Sequence, residues 1–218
     1  MTNSKAGPSK GMPDAGTLEN DPVYTKIHEL EFSEMIPFVL SNIRKRGIIP
    51  LLYLGINLIF LLLMVLIIVG GVGLELLNAW SIIWQLLGGF LAGSILVIVP
   101  HELLHGLAYR IIGARKIQFG ADLQQFIFYV TAHRFTISKG QLAFLAMTPF
   151  VLINLVLITL TLVWAKEYLL FAATLLFCHN IMCIGDFAVL NYACKHRGEL
   201  YTYDDTLNKK SYFFTREG

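Results

Sequence analysis

Residues 76–106 read LLNAWSIIWQLLGGFLAGSILVIVPHELLHG. Residues 76–100 carry no charge, and three ionisable side chains, His101, Glu102 and His105, follow at once. A helix of about 20 apolar residues covers a bilayer core, so the stretch predicts a membrane-spanning helix. Its far end carries the pattern H-E-x-x-H. Helix residues four apart share a face, so His101 and His105 can point at one metal ion. Zn²⁺ accepts two such imidazole nitrogens. Glu102 lies off that axis and can take a proton from a water molecule held there. The plainer alternative is two histidines and a glutamate paired for packing. It must carry the cost of three ionisable groups at the end of an apolar run.

Composition agrees with a membrane setting. Of 218 residues, 56% are hydrophobic and 15% charged, with mean hydropathy +0.62, too apolar for an ordinary soluble domain. The net charge of +2 predicts no nucleic-acid partner. The three cysteines, Cys178, Cys183 and Cys194, make no disulfide framework and no C-x-x-C pair, and read as small buried hydrophobes.

Four uncharged apolar runs appear, at 47–74, 76–100, 140–165 and 168–185, the last continuing past Asp186. They predict an all-α membrane protein with four transmembrane helices, near 48–72, 80–112, 141–165 and 168–193. Basic residues set the orientation. Arg44, Lys45 and Arg46 precede the first helix, and the loop 73–79 has none. Arg110, Arg115, Lys116, Arg134 and Lys139 lie between the second and third. One lysine, Lys166, follows the third, and five basic residues follow the fourth. The alternation places both termini in the cytoplasm, with a multi-pass chain whose site faces that side.

The remaining segments are polar. Residues 1–22 read as a disordered tail with no cleavable signal peptide. Residues 23–47 are juxtamembrane, with an interfacial amphipathic helix over part of the stretch, interrupted near Pro37. His28 there reads as a surface residue. Residues 116–136 break the helical pattern. Phe126 to Val130 suits a strand, with Lys116 to Gly120 as its partner, so a small cytoplasmic hairpin is expected between helices 2 and 3. His133 reads as a loop histidine. The tail 194–218 holds a candidate second hairpin over 199–216, around Asp204 to Asn208.

A catalytic zinc usually has three protein ligands, and H-E-x-x-H supplies two. The metzincin histidine is absent, because position 111 is Ile. Asp122 lies past the helix-ending Gly113. Asp186 and His179 remain. Asp186 is a carboxylate inside an apolar run, which is a functional hypothesis by default. It is nine residues before Lys195, as His101 is nine before Arg110. On straight parallel helices that puts the two at one level, with His179 about 10 Å deeper. Asp186 is therefore the expected third ligand, with His179 close by but off the metal, and Gly185 allowing close helix approach. Asn154, a lone amide in the third helix, is an auxiliary candidate for an oxyanion or for an interhelical hydrogen bond. Pro100 removes a backbone bond just before His101, favouring a kink that admits water.

The block His101-Glu102-Leu103-Leu104-His105-Gly106, with Gly185-Asp186 in a later helix, resembles the zincin-peptidase family of bacterial multi-pass membrane proteins. It is more distantly similar to site-2-protease-type intramembrane metalloproteases, as is Thr148-Pro149-Phe150-Val151-Leu152-Ile153-Asn154, where a Pro precedes an Asn. The resemblance covers roughly residues 85–215. It implies zinc held by His101, His105 and Asp186, with Glu102 as base. Site-2 proteases carry Asp-Gly after a Pro, whereas here Gly185 precedes Asp186.

The expected function is an intramembrane zinc endopeptidase acting on a peptide or membrane-protein substrate, with the lipid bilayer as its other partner. The 116–136 hairpin would hold the unwound substrate by strand addition. The alternatives are a zinc sensor or transporter, and a non-catalytic scaffold with a retained metal site. In the topology read here, a cysteine placed at Asn78 reacts with a membrane-impermeant thiol reagent from outside intact cells. One placed at Asn208 reacts only after lysis, and external labelling there would refute the arrangement.

Overall fold

A computed structural model describes residues 11–122 and 127–216. Three helices in it are long and apolar enough to cross a membrane: Ile48–Gly73, Ala79–Ile111 and Lys139–Trp164. Lys166–Met182 and Ile184–Lys195 form a pair bent by 46°, which makes a fourth span if taken together. The fourth expected helix, 168–193, is thus broken at Cys183. The helices are α3 (Ile48–Gly73), α4 (Ala79–Leu91), α5 (Ile98–Ile111), α6 (Lys139–Trp164), α7 (Leu169–Met182) and α8 (Ile184–Lys195). A π-helical segment, Ala92–Leu96, joins α4 to α5. Pro100 sits just inside α5, where a missing N–H leaves the carbonyl of Leu96 without its usual partner.

Local chemistry explains the boundaries. Asn78 caps α4 by accepting from Ser81 N at 2.8 Å. Ser138 and Gln141 close a capping box at the start of α6. Between α3 and α4 the chain reverses at Glu75, whose φ of 59° lies in the left-handed region. α3 has no buried residue and is apolar on every side, as a lipid-facing helix would be. Tyr53 on α3 donates to the Ile181 carbonyl at 3.1 Å, beside the break before α8.

α4 and the π-segment lie close against α7. A Cβ on Gly89 would come 2.6 Å from the Phe171 carbonyl oxygen, and one on Gly93 would collide with the Leu175 carbonyl. Gly89 and Gly93 are four apart, the small-residue spacing that lets membrane helices touch backbone to backbone. Gly185 does not serve this purpose. Its Cβ would meet nothing within 4 Å, and the residue lines a cavity instead.

Outside the helices the structure is more ordered than the sequence suggested. Residues 1–10 of the expected tail lie outside the described residues, but Ala15–Asn20 form helix α1. Asp14 caps it, accepting from Thr17 N at 2.7 Å, and Leu18 is buried. Its Glu19 pairs with Arg134 at 2.8 Å and accepts from the Tyr203 hydroxyl. The Arg134 guanidinium holds the Glu19 carboxyl below its ordinary value. The juxtamembrane stretch is not one interrupted helix. It is strand β1 (Tyr24–Glu31) followed by α2 (Met35–Ile43), with Pro37 in the first turn, where its missing N–H costs nothing. His28 is not a plain surface residue: it stacks on Phe38 and lies against Tyr192 and Phe213.

The expected 116–136 hairpin is present as β2 (Gln118–Asp122) and β3 (Ile127–Thr131), paired Phe119 to Val130 and Gly120 to Tyr129. Phe126, expected in its second strand, lies outside the described residues. The tail hairpin is β5 (Leu200–Asp205) and β6 (Lys210–Arg216). It is the centre of a four-stranded antiparallel sheet in the order β1-β6-β5-β4, where β4 is Ile137–Ser138. His133 ties this sheet together, its Nδ1 accepting from Thr206 N at 3.2 Å. Leu30, Phe38, Leu142 and Phe213 are buried in the core between sheet and helices. Each such side chain stabilises the fold by about 1.5–3 kcal/mol. Of the cysteines, Cys183 is buried, Cys178 half-buried and Cys194 exposed, so the expectation of three buried thiols fails at Cys194.

Replacing Gly93 by Ala should destabilise the protein by about 1–3 kcal/mol through overpacking. Gly55→Ala is the control, because a Cβ there meets nothing within 4 Å. Thermal unfolding in detergent measures both, and an unchanged midpoint for Gly93→Ala would contradict the close approach of the π-segment to α7.

Candidate metal centre

The site is built on three helices. α5 presents His101 and His105 from successive turns of one face, and both are buried. α8 presents Asp186 from its first turn, directly after the break at Cys183. α6 contributes a backbone carbonyl. Pro149 lies within α6 and has no N–H to give to the carbonyl of Leu145, four residues earlier. That carbonyl instead faces His105 Nδ1 at 3.1 Å. A carbonyl can only accept, so His105 carries its proton on Nδ1 and leaves the Nε2 lone pair free.

The three donor atoms converge. His101 Nε2 and His105 Nε2 are 3.1 Å apart. Asp186 Oδ2 lies 3.4 Å from His101 Nε2, and Asp186 Oδ1 lies 3.3 Å from His105 Nε2. Ligands at 2.0–2.2 Å on a tetrahedral ion are separated by roughly 3.3–3.6 Å, and these three edges lie within about 0.2 Å of that range. Among the described residues, His101, His105 and Asp186 form one of two donor groups able to hold a metal.

The second group is His101, His179 and Cys183. His101 uses its other ring nitrogen here: Nδ1 is 3.2 Å from His179 Nε2, and Cys183 Sγ is 3.6 Å from the same nitrogen. The expectation that His179 would lie about 10 Å deeper than the site is therefore wrong. It counted along a straight helix, and the 46° bend brings His179 on α7 and Asp186 on α8 to opposite nitrogens of one imidazole. The two groups differ in access. His101, Glu102, His105 and Asp186 line a cavity of about 620 Å³, whereas His179 and Cys183 are absent from its lining and have no exposed surface. A hydrogen bond from His101 Nδ1 to His179 would fix the tautomer that turns Nε2 toward His105 and Asp186.

Glu102 lines the cavity too, and its Oε2 is buried without a hydrogen-bond partner among the described residues. An orphaned carboxylate oxygen beside a ligand cluster suits a group that acts on a molecule bound there. Asn154 does not reach the cavity. Its amide donates to the Phe150 carbonyl and to Asn180 Oδ1, both at 2.8 Å, so of its two candidate roles the interhelical one is observed. Sequence reasoning missed the Leu145 carbonyl, although Pro149 was the signal for it. It also passed over Tyr109, Thr131, Asp204 and Ser211, which line the far end of the cavity.

Comparison with known proteins gives one positive result. No curated protein and no solved structure matches the chain. Residues 94–201, just under half of the chain, match the family described as "Putative zincin peptidase", which supports that peptidase family, with metallopeptidase activity and zinc binding as its implications.

Proposed function

We propose that this protein is an intramembrane zinc metalloprotease that hydrolyses a peptide bond in or near a membrane segment. The observation that carries the reading is the convergence of His101 Nε2, His105 Nε2 and Asp186 at 3.1–3.4 Å on the wall of a cavity that also holds Glu102. Zinc, when bound by these three residues, supplies a Lewis acid that polarises a carbonyl and acidifies water. The chain does the rest. His105 is held by Leu145 and His101 by His179, so neither ring has to reorient. Glu102 takes the proton of the attacking water and delivers it to the leaving amine. The largely apolar cavity wall excludes bulk water and receives an apolar segment. The β2–β3 hairpin, with β3 on the cavity wall, offers an edge for an unwound substrate. The basic-residue alternation argues for cytoplasmic termini and a site near that side of the cell membrane.

A zinc sensor or transporter is the rival reading, and the adjoining trio of His101, His179 and Cys183 favours it. α3 and α6 offer no acidic, basic, histidine or cysteine side chain within their apolar runs to continue a path of ligands. Glu102 decides between them. Glu102→Gln should keep its zinc, since no ligand is touched, while peptide hydrolysis falls at least about 10²-fold. Full hydrolysis in that variant would refute the assigned base.

The ligand set has its own test, metal analysis of purified variants. Asp186→Ala should lose zinc. His179→Ala should still bind it, with affinity reduced about 10–100-fold, as expected for a residue that orients a ligand. Normal zinc in Asp186→Ala together with loss in His179→Ala would reverse the assignment.

A further inference from the structure

The cavity continues beyond the metal ligands. His101, His105 and Tyr109 are spaced four apart and form one ridge of α5. Tyr109 lies about 12 Å from His101 along the helix axis. Past it the wall passes to the strands, with Thr131 on β3, Asp204 on β5 and Ser211 on β6.

Asp204 is the unusual member. Its Oδ1 accepts from Ser211 Oγ at 2.6 Å, but among the described residues Oδ2 has only the Tyr109 hydroxyl at 3.5 Å, the outer limit of a hydrogen bond. An ionised carboxylate has about four acceptor sites, so capacity is left over. Burial raises the Asp204 carboxyl above its ordinary value, and what acts against that among the described residues is the hydrogen bonds from Ser211 and Tyr109, with no cationic side chain. Arg134, whose backbone N–H bonds the Asp204 carbonyl at 2.8 Å, has its guanidinium engaged with Glu19 and Asp205. Thr131, on the same wall and only 5% exposed, has a hydroxyl with no partner among the described residues. Four carboxylates line the cavity, Glu102, Asp122, Asp186 and Asp204, and among the described lining residues there is no lysine or arginine. A divalent ion at the histidines would offset the charge of Glu102 and Asp186 but would not reach Asp204.

Resting on the proteolytic reading, we infer that Asp204 is a specificity residue that receives a lysine or arginine side chain of the substrate, while the apolar wall takes the neighbouring residues. An extended chain covers about 3.3 Å per residue, so the basic residue lies roughly three or four positions from the scissile bond. The substrate class is then an apolar membrane segment with a basic flank, the composition that membrane helices carry on their cytoplasmic side.

Binding tests this separately from hydrolysis. Full-length Glu102→Gln protein, loaded with zinc in detergent, is titrated with labelled, N-acetylated apolar peptides. Each carries one lysine at a scanned position, or norleucine in its place. At one position the lysine peptide should bind at least about tenfold more tightly, as for a buried charge pair. Adding Asp204→Asn should abolish the difference, and Asp204→Glu should retain part of it. Equal binding of both peptides everywhere, no binding, or a preference that survives Asp204→Asn overturns the inference. Cleavage of either peptide by the wild type would still leave the proteolytic reading standing. Should Asp204→Asn fail to fold, carbodiimide labelling of Asp204 in the unaltered chain, read by mass spectrometry, serves instead. The lysine peptide must protect it and the norleucine peptide must not, and equal labelling overturns the inference.

Discussion

An ionisable side chain among apolar helices must be satisfied by its neighbours, because no solvent will do it. That constraint runs through the centre of this protein. His105 finds the Leu145 carbonyl, free only because Pro149 cannot bond it. His101 finds His179 on one side, and His105 and Asp186 on the other. Each partner lies on a different helix from the residue it satisfies, except within the His101–His105 pair. The polar contacts therefore fix how α5, α6, α7 and α8 sit against one another. Among the described residues of the centre, Glu102 Oε2 and His179 Nδ1 stay without a partner, and of the two residues only Glu102 lines the cavity.

The helices that carry the donors are also irregular just ahead of them. α5 starts after a π-segment and α8 after a break, and the first donor of each lies within a turn or so of that start. π-bulges recur at functional sites, and here one precedes the H-E-x-x-H pattern directly. A regular helix repeats its side chains at a fixed angle. An irregular one lets a donor be aimed without moving the rest of the span.

Much of this was legible in the sequence. The H-E-x-x-H spacing, the uncharged runs and the lone carboxylate at Asp186 each follow from helix geometry or from the cost of burying charge. The break at Cys183 was not legible. Cys183-Ile184-Gly185 contains no proline, and an uninterrupted apolar run reads as straight, which is why His179 was placed too deep. The sheet was half legible. The β5–β6 hairpin is local and has a turn signal, but its pairing with β1 joins residues about 180 positions apart, such as Glu31 and Lys210. No periodicity within Tyr24–Glu31 announces that partner, and the reading of 23–47 as juxtamembrane, helical over part of its length, contains no strand. Helix α1 had a local signal at Asp14, outweighed by the polar composition around it.

The placement of β6 between β1 and β5 has a consequence for how the molecule is made. During synthesis β1 appears early, and α3 to α8 follow before the partner of β1 has been translated. Until then β1 has no strand to pair with, and the cavity lacks Ser211 and Phe213 from its wall. The histidines and Asp186 are already in the chain at that stage. The wall of the cavity is therefore completed only after Lys210–Arg216 has been made and has paired between β1 and β5. Non-local pairing of this kind is slow, so the cavity wall is expected to form at a rate set by the sheet and not by the helices that carry His101, His105 and Asp186.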